Sequence, residues 1–133
     1  MKKSNAGITL MELIVVLAII VIIGAIITPN FFAMQDRARV RSDIQSTVVL
    51  RNALSLQILE TGENVSGSIS DILGSLYDGN YISFEVSSSG DNGPQTLGAQ
   101  WILSNNQIYL SIPSELYQNI DLTPQESSVI TSH

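Results

Sequence analysis

The chain has 133 residues, a formal net charge of −6, 44% apolar residues and no cysteine, which suffices for one small domain and one further segment but not for two domains. Lack of cysteine excludes disulfides, thiolate metal sites and thiol catalysis. Charge is partitioned along the chain: every Lys and Arg lies before Asn52, and of the 12 acids only Glu12, Asp36 and Asp43 do, leaving nine acids and no cation beyond it. So acidic a C-terminal part repels phosphate backbones, and direct nucleic-acid binding by it is disfavoured.

Residues 8–28 read ITLMELIVVLAIIVIIGAIIT, and 13–27 hold no polar side chain. As a helix rising about 1.5 Å per residue, this run covers about 30 Å, one hydrocarbon thickness. Three readings compete. The core helix of a small soluble domain would show a polar face, and 13–27 is apolar around its full circumference. A secretory signal would close on a small-x-small site, and this run closes on Ile26, Ile27, Thr28 and Pro29. A plain membrane anchor explains all but Glu12, a carboxylate that is costly in hydrocarbon without a partner. Lys2 and Lys3 precede the run while Arg37, Arg39 and Arg41 follow it, so flanking charge leaves the orientation open.

Lys2, Lys3 and then Gly7 directly before Ile8, Thr9, Leu10, Met11, Glu12 and Leu13 resemble the prepilin processing site of the type IV pilin superfamily. The resemblance implies cleavage between Gly7 and Ile8 by a membrane aspartyl prepilin peptidase, with N-methylation of Ile8. Family members usually carry Phe where Ile8 stands. The family's glutamate, five residues into the mature chain, falls on Glu12, and its membrane-helix proline on Pro29. Cleavage would leave a cationic amine at Ile8, which Glu12 of a neighbouring subunit can neutralise in a low-dielectric filament core. Burying both charges together is tolerable where burying either alone is not, so the pair would favour a correctly staggered subunit. Pro29 cannot donate to the carbonyl of Ala25 and Gly24 lies nearby, so the helix either kinks there or simply ends near the interface.

From Asn30 the chain continues without Gly or Pro to a stop signal at Thr61 and Gly62. Asp36, Arg37, Arg39, Arg41 and Asp43 form a charged collar whose three- and four-residue spacings allow Asp36 to pair with Arg39 and Arg39 with Asp43. A solvated or headgroup-facing collar is expected, with bridging between subunits as the alternative. Farther on, Ile44, Val48, Leu54, Ile58 and Leu59 share one broad side of a helix and Val49, Ala53 and Leu56 the opposite one. One stripe suits the domain's own sheet and the other awaits neighbouring copies or some other partner, the alternative being a helix sandwiched entirely within its own domain.

Ser68 is a candidate cap for a short helix carrying Ile69, Ile72, Leu73 and Leu76. Asp78, Gly79 and Asn80 mark a turn before a strand alternating Ile82, Phe84 and Val86. Leu97, Ala99, Trp101 and Leu103 alternate likewise, as do Ile108, Leu110 and Ile112, with Ser104, Asn105 and Asn106 as the hairpin between them. Leu116, Tyr117, Ile120 and Leu122 can pack on the head, and residues 125–133 read as a mobile polar end.

The expected fold is α+β: a long N-terminal helix packed on a three-stranded antiparallel sheet, the architecture the resemblance also implies. Its expected division is a leader at 1–7, a polymerisation helix at 8–29, an amphipathic continuation at 30–61 and a head at 62–133. With His133 the only histidine, no nucleophilic or zinc constellation is available, and neither an enzyme nor a bound metal or cofactor is expected. Asp91, Asn92 and Gly93 read as a turn in preference to a calcium loop. The resemblance implies a structural subunit, a membrane-held precursor whose partners are other copies of itself, the prepilin peptidase and a pilus assembly platform. It would end in an extracellular filament for adhesion, motility or attachment. The alternatives are a pseudopilin of type II secretion or DNA uptake, and a monomeric membrane-anchored binding domain.

Overall fold

The computed structural model describes residue 7 and residues 9–133. Lys2, Lys3 and Ile8, and with Ile8 the expected scissile bond, lie outside the described residues. The chain divides into two units, 1–35 and 36–133.

Helix α1, Leu10–Thr61, runs through both units. In the first unit its described side chains are all exposed, and one stretch of 18 residues reaches a mean hydropathy of 3.2 with none of it buried. Apolar side chains on every face leave such a helix nothing to gain from water, so its surroundings must be lipid or other protein. Thr61 is its last residue because Gly62 takes the left-handed conformation, φ 69°, and its N–H closes back on the Ile58 carbonyl at 2.9 Å.

In the second unit residues 36–61 of α1 pack with α2 (Ile69–Asp78), β1 (Gln100–Ser104), β2 (Gln107–Ile112), α3 (Ser114–Gln118), α4 (Pro124–Ser127) and β3 (Ile130–Ser132). Ser68 caps α2 through a reciprocal box, its hydroxyl accepting from the Asp71 N–H while Asp71 accepts from the Ser68 N–H. The Ser68 hydroxyl also donates to Asp71 Oδ2 at 2.7 Å, and this bond together with that from the Ser68 N–H holds the Asp71 carboxyl below its ordinary 3.8. Asn105 and Asn106, at φ 50° and 60°, form the two-residue turn that joins β1 to β2 in antiparallel register, Trp101 opposite Leu110. Val40, Ile44, Leu50, Ala53 and Leu54 of α1 meet Ile72, Leu73 and Leu76 of α2 and Trp101, Ile108, Leu110 and Ile112 of the sheet in one core. The expected α+β class, capped short helix and hairpin are therefore present.

Three expectations are corrected. The sheet is mixed: β2 pairs with β3 in parallel, Leu110 beside Ile130, because residues 113–129 cross over through α3 and α4 before β3 begins. The third strand is not 82–86. The N–H groups of Tyr81 and Ile82 are both turned onto the Leu76 carbonyl, at 2.9 and 3.3 Å, and so serve the end of α2 instead of a ladder. Ile82 and Val86 are buried while Phe84 stands 60% exposed.

The polar end is also not mobile. Val129 and Ile130 are both buried, the His133 N–H donates to the Ile112 carbonyl at 3.1 Å, and Ser111 Oγ lies 2.8 Å from His133 Nδ1. A second reciprocal box starts α4 between Thr123 and Glu126. Its Thr123 N–H and hydroxyl bonds, helped by the charge of Arg41, hold the Glu126 carboxyl below its ordinary 4.5. Two apolar side chains among seven polar ones suffice to anchor this segment, because β2 offers a free edge and an apolar face.

If residues 129–132 belong to the core, Ile130→Ala should lower stability by about 2 kcal/mol or more. Denaturant unfolding of the detergent-solubilised full chain, followed by fluorescence of Trp101, checks this; an unchanged midpoint would return the segment to solvent.

Candidate assembly site

Gly7 is exposed and precedes the helix, and a Cβ built there would meet no atom within 4 Å. Among the described residues, packing therefore makes no demand for glycine at this position. Thr9 caps α1: its hydroxyl accepts from the Glu12 N–H at 3.2 Å, and Glu12 Oε2 accepts from the Thr9 N–H at 2.9 Å. Glu12 thus satisfies an otherwise orphaned donor of the first turn. Sequence reasoning singles out Glu12 but misses this partner, although a Thr three residues ahead of a Glu before an apolar run is the signal for it.

Gly24 and Pro29 both lie inside α1, whose helical course is unbroken through them. A Cβ at Gly24 would also meet nothing within 4 Å. The Thr28 hydroxyl donates to the Gly24 carbonyl at 2.5 Å, a back-bond that occupies one helix carbonyl beside the Ala25 carbonyl, to which Pro29 has no N–H to give.

The collar departs from expectation at Asp43. Arg39 pairs with Asp36 at 3.8 Å, both side chains about half exposed, and Arg41 pairs with Glu126 at 3.8 Å. Asp43 is 2% exposed. It faces into the head and accepts from the N–H groups of Gln95 and Thr96 at 2.8 and 2.7 Å and from the Thr96 hydroxyl. Residues four apart share a side of a helix, so the next members of this row also meet the head. One turn on, Thr47 is fully buried, donates to the Asp43 carbonyl at 2.7 Å and accepts from Trp101 Nε1 at 3.0 Å. Another turn on, Arg51 Nε donates to the Ile108 carbonyl at 2.5 Å, and its guanidinium stands 4.3 Å from the centroid of the Tyr109 ring. Among the described residues no buried side-chain nitrogen or oxygen lacks a partner. The row Asp43, Thr47 and Arg51, polar at strict four-residue intervals, is the signal in the sequence for this clamp.

The two expected stripes are also redistributed. Val48 and Leu59, expected beside Ile44, are exposed together with Val49 and Leu56, whereas Ala53 is buried. The Asp43 row fixes which side of α1 faces the sheet, and it turns Val48 and Leu59 outward with the rest.

At the turn considered for calcium, the Gly93 N–H closes on the Gly90 carbonyl at 2.9 Å and the Ser87 N–H on the Asn92 carbonyl at 3.0 Å. These backbone bonds account for its shape, and among the described residues no three His, Asp or Glu side chains gather as a metal site would require.

Comparison with known proteins bears on the N-terminal segment. The family model described as the prokaryotic N-terminal methylation motif matches residues 2–28. Residues 2–28 thus carry a recognisable N-terminal methylation motif. Over 79 residues the chain is 33% identical to a protein named prepilin peptidase-dependent protein A, from Clostridium perfringens, a match that takes in 59% of this chain and 55% of the relative. The chain thus spans about half the length of that relative. No solved structure matches this chain significantly. The N-terminal methylation motif and the unburied apolar helix together support a membrane-anchored precursor.

Asp43→Ala should destabilise the 36–133 unit by ~1.5–3 kcal/mol for each charge-assisted bond lost, and Asp43→Asn by less, since an amide oxygen still accepts. Unfolding of the full chain in detergent, read through Trp101, checks both; equal stability of Asp43→Ala and the parent would show that the clamp does not hold the head.

Proposed function

We propose that this chain is a structural subunit of a type IV pilus, cut between Gly7 and Ile8 by a prepilin peptidase, N-methylated at Ile8 and polymerised through α1. The coarser statement, a pilin-like or pseudopilin-type substrate of prepilin peptidase, is what the N-terminal methylation motif and the prepilin peptidase-dependent relative support. The observation that carries the finer one is that the described side chains of residues 9–28 are unburied on every face, with one carboxylate, Glu12, whose hydrogen-bond partner is its own cap.

Such a helix is at rest in lipid and can leave lipid only for a surface as apolar, which identical helices of neighbouring copies provide. Glu12 then has a task. Released from Thr9, it meets the Ile8 amine of the adjoining subunit, and the neutralised pair fixes axial stagger. The open surroundings of Gly7 support a demand for glycine that comes from the peptidase. Gly24 and Pro29 supply the place where the helix bends or opens as subunits pack. An assembly platform in the membrane would deliver subunits to a filament that reaches the cell exterior and serves adhesion, motility or attachment. The chemistry is polymerisation, with no catalytic step by this chain.

In cells that make the chain with its peptidase, the parent should appear in a high-mass fraction sheared from the surface. Gly7→Val should accumulate as uncut precursor, and Glu12→Gln should be cut normally yet fall at least about tenfold in the sheared fraction, the loss of one well-placed ion pair. Glu12→Gln filaments at the parental level would refute the stagger role, and an unsheared parent would refute the filament.

A further inference from the structure

A groove of about 610 Å³ runs along α1 in the 36–133 unit. Gln45 and Val49 line it from the helix, Trp101 from β1, and Phe84, Glu85 and Asp91 from the connecting loop. Phe84 and Val49 are 60% and 53% exposed, so an apolar side and an aromatic ring lie open beside two carboxylates. A partner that fits must pair an apolar stem with a cationic, planar head, which is the description of arginine.

This chain carries a suitable arginine. Beyond Arg51 there is no Lys or Arg, so the head cannot neutralise Glu85 and Asp91 itself. Arg39 is held by Asp36 and Arg41 by Glu126, and Arg51 is committed to the Ile108 and Ser128 carbonyls. Arg37 is exposed and, among the described residues, has no carboxylate within ion-pair distance. Helical periodicity places Arg37 on the row of Arg41 and Val48, about a third of a turn from the row of Ser42, Ser46 and Val49 that lines the groove. Its own groove is therefore on another side of the helix.

We propose that this groove receives the Arg37 side chain of a second copy of the chain, its stem on Phe84 and Val49 and its guanidinium between Glu85 and Asp91. Donor and acceptor are different surfaces, so the contact is heterologous. Repetition of a heterologous contact gives a ring or an open helical polymer, never a closed twofold dimer. The inference rests on the filament reading and deepens it, giving the head its own means of choosing a neighbour where α1 offers only nonspecific apolar surface.

The cysteine-free sequence makes the test clean. Copies carrying Ala38→Cys and copies carrying Asn92→Cys are co-expressed in otherwise full-length form and treated with a short thiol crosslinker, with surface shearing as a parallel readout. A crosslinked dimer is expected only when both are present. It should fall roughly tenfold when Arg37→Glu is added to the Ala38→Cys copy. It should recover when Glu85→Arg and Asp91→Arg are added to the Asn92→Cys copy. Sheared filaments without the crosslink would overturn the groove contact and leave the filament standing. The crosslink without filaments would support the contact and refute the filament, and absence of both would refute both. A crosslink indifferent to Arg37→Glu, together with weaker partition of that variant into anionic than neutral vesicles, would assign Arg37 to lipid headgroups and overturn the proposal.

Discussion

The carboxylate of Asp43 is the contact on which the rest of the head depends. It is buried, it accepts three hydrogen bonds from a loop more than fifty residues away, and it stands at the start of the row that continues through Thr47 to Arg51. A buried carboxylate is tolerable only where its acceptors are filled, so the Gln95 and Thr96 backbone can sit in one place relative to α1 and no other. That register determines the hydrogen bond between Thr47 and Trp101, the seat of Arg51 on Tyr109, and the choice of Val40, Ile44, Leu50 and Leu54 as the inward face. Apolar packing supplies the larger share of the free energy, but it is non-directional and would accept several rotations of the helix. The polar row accepts one.

Helix α1 therefore lives under two regimes. In residues 36–61 one side is committed to the head and the opposite side keeps Val48, Val49, Leu56 and Leu59 exposed. In its earlier part residues 13–27 are apolar throughout, and none of the described side chains is buried. A small unit with no disulfide must hold its sheet by packing, and α1 supplies five of the core residues and the polar row, so an element that anchors the head also carries the unburied apolar run. That economy suits the proposed filament subunit, which would keep its shape while the environment of its N-terminal segment changes.

Much of this is legible in the sequence because the informative patterns are local. The uninterrupted run at 13–27, the processing residues around Gly7, the Ser68 cap and the Asn105 and Asn106 turn each need only a few neighbouring residues to be recognised. The failures are all long-range. Local spacing assigns Asp43 to a solvated collar because Arg39 lies four residues away, and its true partners are separated from it by the whole of α2. Alternation counts Phe84 inward, but the preceding N–H groups are already spent on Leu76. Residues 129–132 look like a polar tail, because the edge of β2 that captures them is not visible in their own composition. Apolar content alone misassigns the helix stripes, for which the polar row is the better compass.

The claim that joins fold to function is that residues 1–7 are a leader and Ile8 becomes a methylated terminus. It is tested most directly by N-terminal mass spectrometry of the chain isolated from cells with and without an active prepilin peptidase. The expected result is a chain that begins at Ile8 and carries one N-methyl group when the peptidase is active, and an intact leader when it is not. A chain that keeps Met1 in both, or that begins beyond Thr28, would contradict the claim and leave a membrane-anchored or secreted domain in place of a filament subunit.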